Sequence, residues 1–449
     1  MKFLSSLIFL LIILVTLLAL IFWLKPDWTL KNDGFNLYVW LRSSLFDHDL
    51  DFKNESDFYR TSFNVTEENI YSQKTSTGKT PNPFPIGSSI LWAPPVIAVS
   101  ILSKLERGTD FIMDGFGSLY EIAVSISSIV YGILGLFLCW LLTKEMFPKN
   151  NNQFLVYGVW LASPLLYFMI YESRMSHANA FFVNSLFIYV WYKKLGDNSY
   201  KKFIFTGLLL GLAALIRWQD IIIVAFPLAE ILTKTYKKQL TTVRAFLLIC
   251  TMFFSFISLF SLQMFAWKAV YGEFILVPPS NTAINPFTPH IIWFLFHPNY
   301  GAIVWHPILL IGILGLIFSL TLKNEKRIFS IPALIVLGLA IYINSSLSDW
   351  YGGGGGSFGA RRIISVLPLT FIGVFYFYEN LGKRIKITLI ILLILLSGWN
   401  ILLLPQAGKN WLWGVNPFSK LNGFKIISPP EIIKNNIKIL REQLERFTN

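Results

Sequence analysis

The chain has little charge and few cysteines for its length. Only 14% of its 449 residues are charged and 54% are hydrophobic, at a mean hydropathy of +0.56. A soluble fold of this size cannot bury so much apolar surface. The two cysteines, Cys139 and Cys250, both lie inside apolar blocks. We therefore expect buried thiols, and neither a disulfide framework nor a zinc site.

Acidic residues are also scarce, which leaves a formal net charge of +13. In a soluble protein this charge would favour nucleic acid as a partner. Here Lys and Arg lie mainly in short segments between apolar blocks, near 144–149, 193–202, 234–238, 323–327 and 383–386. Because the positive-inside rule explains that distribution, we expect membrane lipid as a partner and no nucleic acid.

Long apolar blocks dominate the rest of the chain. A helix needs ~20 residues to cross the ~30 Å hydrocarbon core, and backbone in lipid must pair within its own segment. The sequence therefore predicts an all-α polytopic membrane protein with about eleven transmembrane helices. They lie near 4–24, 118–143, 154–171, 177–193, 202–216, 218–233, 243–268, 303–322, 328–345, 363–381 and 385–404.

The basic segments all follow even-numbered spans, which puts the N-terminus in the cytoplasm. The apolar segment 87–102 is short and interrupted by Pro94-Pro95, so we predict an interfacial or re-entrant helix at the outer face. A true crossing there would move every later basic segment to the other side. Abundant Lys, Ile and Asn are typical of an AT-rich bacterial genome, and we expect the protein in a bacterial inner (plasma) membrane.

Three regions follow from this topology. Residues 1–404 form the transmembrane domain, and within it 25–117 form a large first external loop with surface helices. Residues 405–449 form an external tail, whose end has the pattern of an amphipathic helix. The sequence does not indicate what that helix packs against, nor the oligomeric state.

Asp33 lies shortly after the first span, at the start of a helical pattern of apolar residues. An amphipathic helix on the membrane surface fits that pattern, with Asp33 at its N-terminus as an ordinary N-cap or as a functional carboxylate. Asp47, Asp49 and Asp51 follow, as a solvated turn or a divalent-cation site. Strict ligand spacing is missing, so we predict no resident metal or other cofactor and leave a divalent cation open.

Three further places have candidate functional residues. Lys79 precedes a stiff Pro-rich run and could reach a phosphate or snorkel to the interface. Glu172 and His177 occupy the outer ends of adjoining spans, as polar hairpin residues or an acceptor-binding pair. The third is Asp349, five glycines and the Arg361-Arg362 pair, which lies outside against the orientation rule and suits a phosphate.

Together these motifs resemble the GT-C glycosyltransferases. The stretches NPFPIG…LWAPP, GLLLGLAALIRWQD and WYGGGGGSFGARR are similar to bacterial relatives of the protein O-mannosyltransferases and of the aminoarabinose transferase that modifies lipid A. The resemblance covers most of residues 1–404. It implies a glycosyltransferase that uses a polyprenyl-phosphate-linked sugar and glycosylates a lipid, glycan or protein of the cell envelope at the outer face.

The resemblance maps the catalytic base onto Asp33. Family members often have a second carboxylate directly beside it, where this chain has Gly34, so Asp47, Asp49 and Glu172 are the candidate helpers. Inverting displacement of a polyprenyl phosphate needs a base and cations for the leaving group. Arg361 and Arg362, with Lys79 as a third cation, are the predicted phosphate ligands. Glu172, His177, Asp47, Asp49 and Asp349 are the predicted acceptor-binding or supporting residues.

Two other function classes compete with this interpretation. A transporter or flippase for a lipid-linked or anionic solute would use intramembrane charges such as Arg217, Asp220, Glu230 and Lys268. It predicts two similar halves, and no internal repeat is evident. A scaffold or partner subunit without activity of its own would tolerate the loss of Asp33 and of the arginine pair.

Overall fold

The computed structural model describes residues 2–65, 73–107, 114–148, 153–277, 282–297, 300–322, 327–351, 358–408 and 429–448. The glycine run 352–356, the basic residues 323–326 and the tail segment 409–428 lie outside them. Eighteen α-helices occur in the described part: α1 Lys2–Leu24, α2 Asn32–Arg42, α3 Lys53–Phe63, α4 Gly87–Arg107, α5 Ser118–Met146, α6 Gln153–Leu161, α7 Leu165–Ile170, α8 His177–Lys193, α9 Tyr200–Ile216, α10 Ala225–Tyr236, α11 Thr242–Tyr271, α12 Ile291–Phe296, α13 Ala302–Trp305, α14 Ile308–Ser319, α15 Arg327–Ser345, α16 Leu367–Asn380, α17 Lys383–Gly408 and α18 Pro429–Thr448.

The prediction of an all-α polytopic membrane protein is confirmed. Within the described residues, strand-type pairing is limited to one isolated bridge between Ile284 and Leu347. Seven helices in that part of the chain are long and apolar enough to cross a membrane. The count of eleven spans stays a prediction. The seven are Leu4–Leu24, Gly87–Glu106, Ser118–Met146, Thr242–Tyr271, Ile328–Ser345, Arg361–Asn380 and Lys383–Ala407.

Two predicted spans are interrupted rather than continuous. The span 154–171 consists of α6 and α7, which are separated by a turn at Ser163-Pro164. The amide of Asn400 in α17 donates to the carbonyls of Leu161 and Ser163, at 2.7 and 2.9 Å. These bonds satisfy backbone acceptors that the broken helix leaves unpaired. The span 303–322 is likewise divided into α13 and α14, and Pro307 caps the second helix.

The spans predicted at 202–216 and 218–233 form a helical hairpin. α9 ends at Arg217, whose backbone is extended, and a 3-10 helix then leads into α10. The Lys202 ammonium at the start of α9 lies 2.6 Å from the Glu230 carboxylate in α10, both fully buried. Lys202 and Glu230 lie 15 and 13 positions from Arg217 along the chain and are in contact. The chain therefore reverses its direction at Arg217.

The described residues group into two compact units. The first comprises 1–27, 133–171 and 284–449, and the second comprises 28–132 and 172–283. The predicted boundary at residue 404, between the transmembrane domain and the tail, stays a prediction.

In the first unit, α14 and α16 pack backbone to backbone. Added Cβ atoms at Gly312, Gly315 and Gly373 would collide with the main chain of the facing helix. Small residues allow such close approach in membrane helix pairs, where dispersion contacts replace the hydrophobic effect. The tail helix α18 packs on α17, where Asn436 donates to the Leu402 carbonyl at 2.9 Å.

In the second unit, a cluster of apolar residues surrounds α2. Phe35, Tyr38 and Trp40 are buried there together with Trp92 of α4 and Trp267 of α11. Eight of the eleven residues of α2 are buried. The predicted helix is therefore present, but its burial exceeds that of an amphipathic helix on a surface, because residues of α4, α5 and α11 pack around it.

Helix α4 runs through its Pro-Pro pair without a break. The sequence predicted an interruption there because proline lacks the N–H that bonds residue i−4. Pro95 leaves the Leu91 carbonyl without its helical donor, and the hydroxyl of Tyr131 in α5 donates to that carbonyl at 3.1 Å. The predicted break at residues 94–95 is wrong because a neighbouring helix supplies the missing donor.

Candidate functional site

Asp33 lies in the first turn of α2 and is half-buried. The helix begins at Asn32, so its N-cap is Lys31, which makes no side-chain capping bond. The Tyr59 hydroxyl holds Asn32 in place, because it accepts from the Asn32 N–H and donates to its side-chain oxygen, both at 3.1 Å. Asp33 is therefore not the N-cap, although a carboxylate in this turn is stabilised by the helix dipole.

Gly34 provides space for an arginine beside Asp33. A Cβ atom built on Gly34 would lie 2.9 Å from Arg174 Cγ and 3.0 Å from the Arg174 carbonyl oxygen. The Arg174 side chain is buried, and its guanidinium lies 3.1 Å from a Glu172 carboxylate oxygen. The residue that stands in place of the expected second carboxylate thus leaves room for the stem and backbone of Arg174. The sequence did not predict this contact, since 140 residues separate Gly34 and Arg174.

The predicted acceptor residues Glu172 and His177 bind two different arginines. Glu172 pairs with Arg174, whereas Nδ1 of the buried His177 lies 3.0 Å from Nη1 of Arg217 at the hairpin turn. Because a guanidinium only donates, Nδ1 accepts and the ring is held in one tautomer. Glu172, Arg174, His177 and Arg217 all belong to the second unit, as does Asp33.

Asp47 and Asp49 shape the turn that follows α2. Asp47 pairs with Arg42 and also accepts from the Asn54 amide at 2.7 Å. Asp49 accepts from the Ser43 hydroxyl at 2.9 Å and from the Asp51 N–H at 3.0 Å. Both carboxylates therefore have structural partners. In the described ranges no group of three or more His, Cys, Asp or Glu is arranged to hold a metal ion.

Lys79 ends a turn that is fastened to the end of α11. Its carbonyl accepts from the Thr75 N–H at 2.9 Å. The hydroxyls of Ser76 and Thr77 donate to the Tyr271 and Val270 carbonyls, both at 2.5 Å. The backbone that carries Lys79 is thus fixed, while a phosphate-binding role for its side chain stays a prediction.

In the first unit, Asp349 accepts two hydrogen bonds from Arg362. The Arg362 guanidinium donates to an Asp349 carboxylate oxygen at 2.5 Å and to the Asp349 carbonyl at 2.7 Å. Neither side chain is more than one-fifth exposed, at 13% and 20%. Arg361 stands beside it, half-buried at the start of the 3-10 helix Arg361–Val366. The structure therefore makes Asp349 a positioning residue for Arg362.

Two of the charged residues that a transporter could use, Glu230 and Lys268, have structural partners. Glu230 accepts from Lys202, from Lys234 at 2.8 Å and from the Trp191 indole at 2.9 Å. Lys268 donates to the Gly272 carbonyl at 2.7 Å, which caps the end of α11. These bonds hold helix ends together.

Comparison with known proteins gives structural matches alone. No protein family matches the sequence, and no curated protein matches it. The crystal structure of the Archaeoglobus fulgidus oligosaccharyltransferase in its apo form matches with a TM-score of 0.52 and 14% identity, over 92% of this chain and 57% of that one. The archaeal oligosaccharyltransferase AglB from the same organism, in complex with an inhibitory peptide and a dolichol-phosphate, matches with a TM-score of 0.54 and 13% identity, over 92% and 56%.

The chain has the GT-C fold. The family resemblance inferred from the sequence motifs is thereby confirmed at the level of fold. A third structure, the A. fulgidus enzyme in complex with Zn and sulfate, agrees with a TM-score of 0.52 over 91% of this chain and 54% of that one. The chain thus spans little more than half the length of the structures it matches. Identity this low transfers no residue roles.

Proposed function

We propose that this membrane protein is an inverting glycosyltransferase. It transfers a sugar from a polyprenyl-phosphate donor to a lipid, glycan or protein acceptor of the cell envelope, at the outer face of a bacterial inner membrane. The GT-C fold supports this function, and one of the matching oligosaccharyltransferases was solved with a dolichol-phosphate, which is itself a prenyl phosphate.

Asp33 is the proposed catalytic base. The observation that supports it most directly is the combination of its place in the first turn of a buried helix with the arginine packed against Gly34. A rigid helix fixes the position of the carboxylate. The carboxylate takes the proton of the acceptor hydroxyl as that oxygen attacks the anomeric carbon, and the bond to the prenyl phosphate breaks.

Arg361 and Arg362 are the proposed ligands of the departing phosphate, with Lys79 as a third cation. A prenyl phosphate is already a good leaving group, so the protein needs to stabilise negative charge and does not need a strong general acid. Asp349 supports this role because it holds the Arg362 fork in one orientation. Glu172 and His177 are the proposed acceptor-binding or supporting residues, and they contact Arg174 and Arg217.

The test is to identify the donor in cells. Prenyl-phosphate sugars are measured by mass spectrometry in cells that lack the gene and that carry the wild type, Asp33→Asn or Asp27→Asn. Asp27 is the matched control, because it is an exposed aspartate of the same external segment that lies outside α2. We expect one prenyl-phosphate sugar to accumulate without the gene and with Asp33→Asn, and to return to its normal level with Asp27→Asn.

Two results contradict the proposal. Unchanged prenyl-phosphate sugars in cells without the gene would exclude the donor class. Full complementation by Asp33→Asn, with the protein present at normal abundance, would exclude Asp33 as the base and leave the donor class standing.

A further inference from the structure

A cavity of about 270 Å³ lies beside the Asp33 turn within the second unit. Its walls come from α2, from α3 and from the stiff segment before α4. Asn32 and Asn36 of α2 face it, one residue before Asp33 and three residues after it. Helix positions three apart are neighbours, with Cβ atoms about 5–6 Å apart. The cavity is therefore within one side-chain length of the proposed base.

The walls combine aromatic rings with amide groups. Phe35 and Tyr59 stand together with ring centroids 4.9 Å apart, and Phe52 lines the same space. Asn36 and Asn82 add carboxamides, and Asn82 is fixed by its bond to the Asn36 carbonyl at 2.8 Å. Ligand sites typically pair a mostly apolar wall with a few fixed polar groups. A ligand that matches these walls has apolar faces surrounded by hydroxyl groups. A sugar ring has this shape.

Glu55 is one of the residues that line this cavity. Its side chain is 1% exposed, and one oxygen accepts from Arg42 at 2.9 Å. Among the residues that the structure describes, the other oxygen, Oε2, has no hydrogen-bond partner. An unsatisfied buried acceptor costs about 1–3 kcal/mol, which a ligand hydroxyl would recover. Burial also raises the pKa of Glu55 to about 7, although Arg42 opposes the shift.

We propose that this cavity binds the acceptor, and that the acceptor group is a neutral, hydroxyl-bearing sugar ring. The inference rests on the proposed function, because it gives Asp33 the hydroxyl that it deprotonates. Pockets for drug-sized ligands measure about 300–1,000 Å³, so this space fits a single ring better than a peptide segment or a prenyl chain. The ring lies against Phe35 and Tyr59, and one of its hydroxyls donates to Glu55 Oε2.

The experiment fills the cavity by placing a large side chain at one of the residues that line it. Ser56 of α3 lines the cavity, whereas Ser62 of the same helix is exposed and does not. The purified full chain in nanodiscs receives the prenyl-phosphate sugar identified in cells, with methyl hexopyranosides and methyl pentopyranosides as acceptor probes. Disaccharide glycosides are measured by mass spectrometry. We expect Ser56→Trp to lower product formation at least tenfold and Ser62→Trp to leave it unchanged.

Thermal stabilisation by prenyl phosphate alone reports on folding and on the donor site. We expect it to be retained in Ser56→Trp. If Ser56→Trp loses this stabilisation, Glu55→Gln is the variant that tests the cavity. It keeps the cavity volume and removes the negative charge of the Glu55 carboxylate. A tenfold rise in the KM for the methyl glycoside supports the proposal.

The outcomes separate the inference from the proposed function. Undiminished transfer by Ser56→Trp, or by Glu55→Gln where that variant decides, overturns the cavity as the acceptor site. Wild-type transfer to a hydroxylated peptide but to no methyl glycoside overturns the sugar class, while the glycosyltransferase function survives. Failure of the wild type to consume the donor with any acceptor counts against the proposed function itself.

Discussion

At the scale of single residues, the contact between Gly34 and Arg174 explains a departure from the expected motif. The sequence predicted Asp33 as a functional residue. It showed Gly34 at the position where related proteins often have a second carboxylate. The structure gives Gly34 a positive role, because any side chain there would displace Arg174. A local pattern could not predict this, since the requirement is imposed by a residue far along the chain.

Gly34→Ala is therefore expected to impair transfer. The added Cβ would collide with Arg174, so Arg174 or the first turn of α2 must shift. Misplacement of a catalytic environment by about 1 Å can cost up to a hundredfold in rate. We expect at least a tenfold lower kcat/KM for the donor in a nanodisc assay. Gly398→Ala is the control, because a Cβ there meets nothing within 4 Å. Equal activity of the two variants would mean that Arg174 does not need its present position.

Asp349 also acts at this scale, through Arg362. The sequence named both residues, and the structure joins them by two hydrogen bonds that the sequence could not specify. Charge-assisted bonds contribute about 1.5–3 kcal/mol, so Asp349→Asn is expected to lower the donor kcat/KM about tenfold.

Asp57→Asn is the matched control for Asp349→Asn. Its ion pair with Lys53 is 56–67% exposed, and such surface pairs contribute about 0–1 kcal/mol. The result that opposes a positioning role is an Asp349→Asn enzyme with a normal donor kcat/KM while Arg362→Ala is inactive.

At the scale of elements, the topology depends on whether α4 crosses the bilayer. The segments before and after α4 bear on that question. Length and composition would let α4 cross the bilayer. Yet Asn82 before α4 donates to the Asn36 carbonyl, and the Gly115 carbonyl after α4 accepts from the Tyr38 hydroxyl at 2.8 Å. Both flanks of α4 thus contact α2 at positions two residues apart. This arrangement favours the predicted interfacial or re-entrant position of α4, which stays a prediction.

Cysteine labelling tests this arrangement in intact cells. In a background without Cys139 and Cys250, single cysteines replace Gln73 before α4 and Ser118 after it, both exposed. We expect an impermeant maleimide to label both from outside. Lys237→Cys, in a basic segment assigned to the cytoplasm, is expected to react after permeabilisation only. Labelling of residues 73 and 118 from opposite sides would establish α4 as a crossing.

Hydropathy and charge predicted which segments are helical, because the bilayer imposes that requirement directly. Hydropathy and charge could not predict the turn at Ser163-Pro164 or the unbroken helix at Pro94-Pro95. In both cases the outcome depends on a donor from another helix, Asn400 in the first and Tyr131 in the second. Proline alone therefore does not decide whether a membrane helix continues.

At the scale of the whole molecule, the GT-C fold is supported from two independent directions. Sequence motifs resembled the family, and the structure matches archaeal oligosaccharyltransferases over more than nine-tenths of the chain at 13–14% identity. At that identity the fold persists while donor and acceptor specificity are free to differ. The specificity must therefore be sought in this chain's own residues, above all those around Asp33.

The most direct measurement is single-turnover transfer by the purified chain in nanodiscs with the identified prenyl-phosphate sugar. A base acts in the transition state, so Asp33→Asn should lower the rate at least a hundredfold, within the range of about 10²–10⁴ for general-base catalysis. Donor binding should be unchanged, and Asp27→Asn should match the wild type. An Asp33→Asn enzyme that transfers sugar at the wild-type rate would contradict the account.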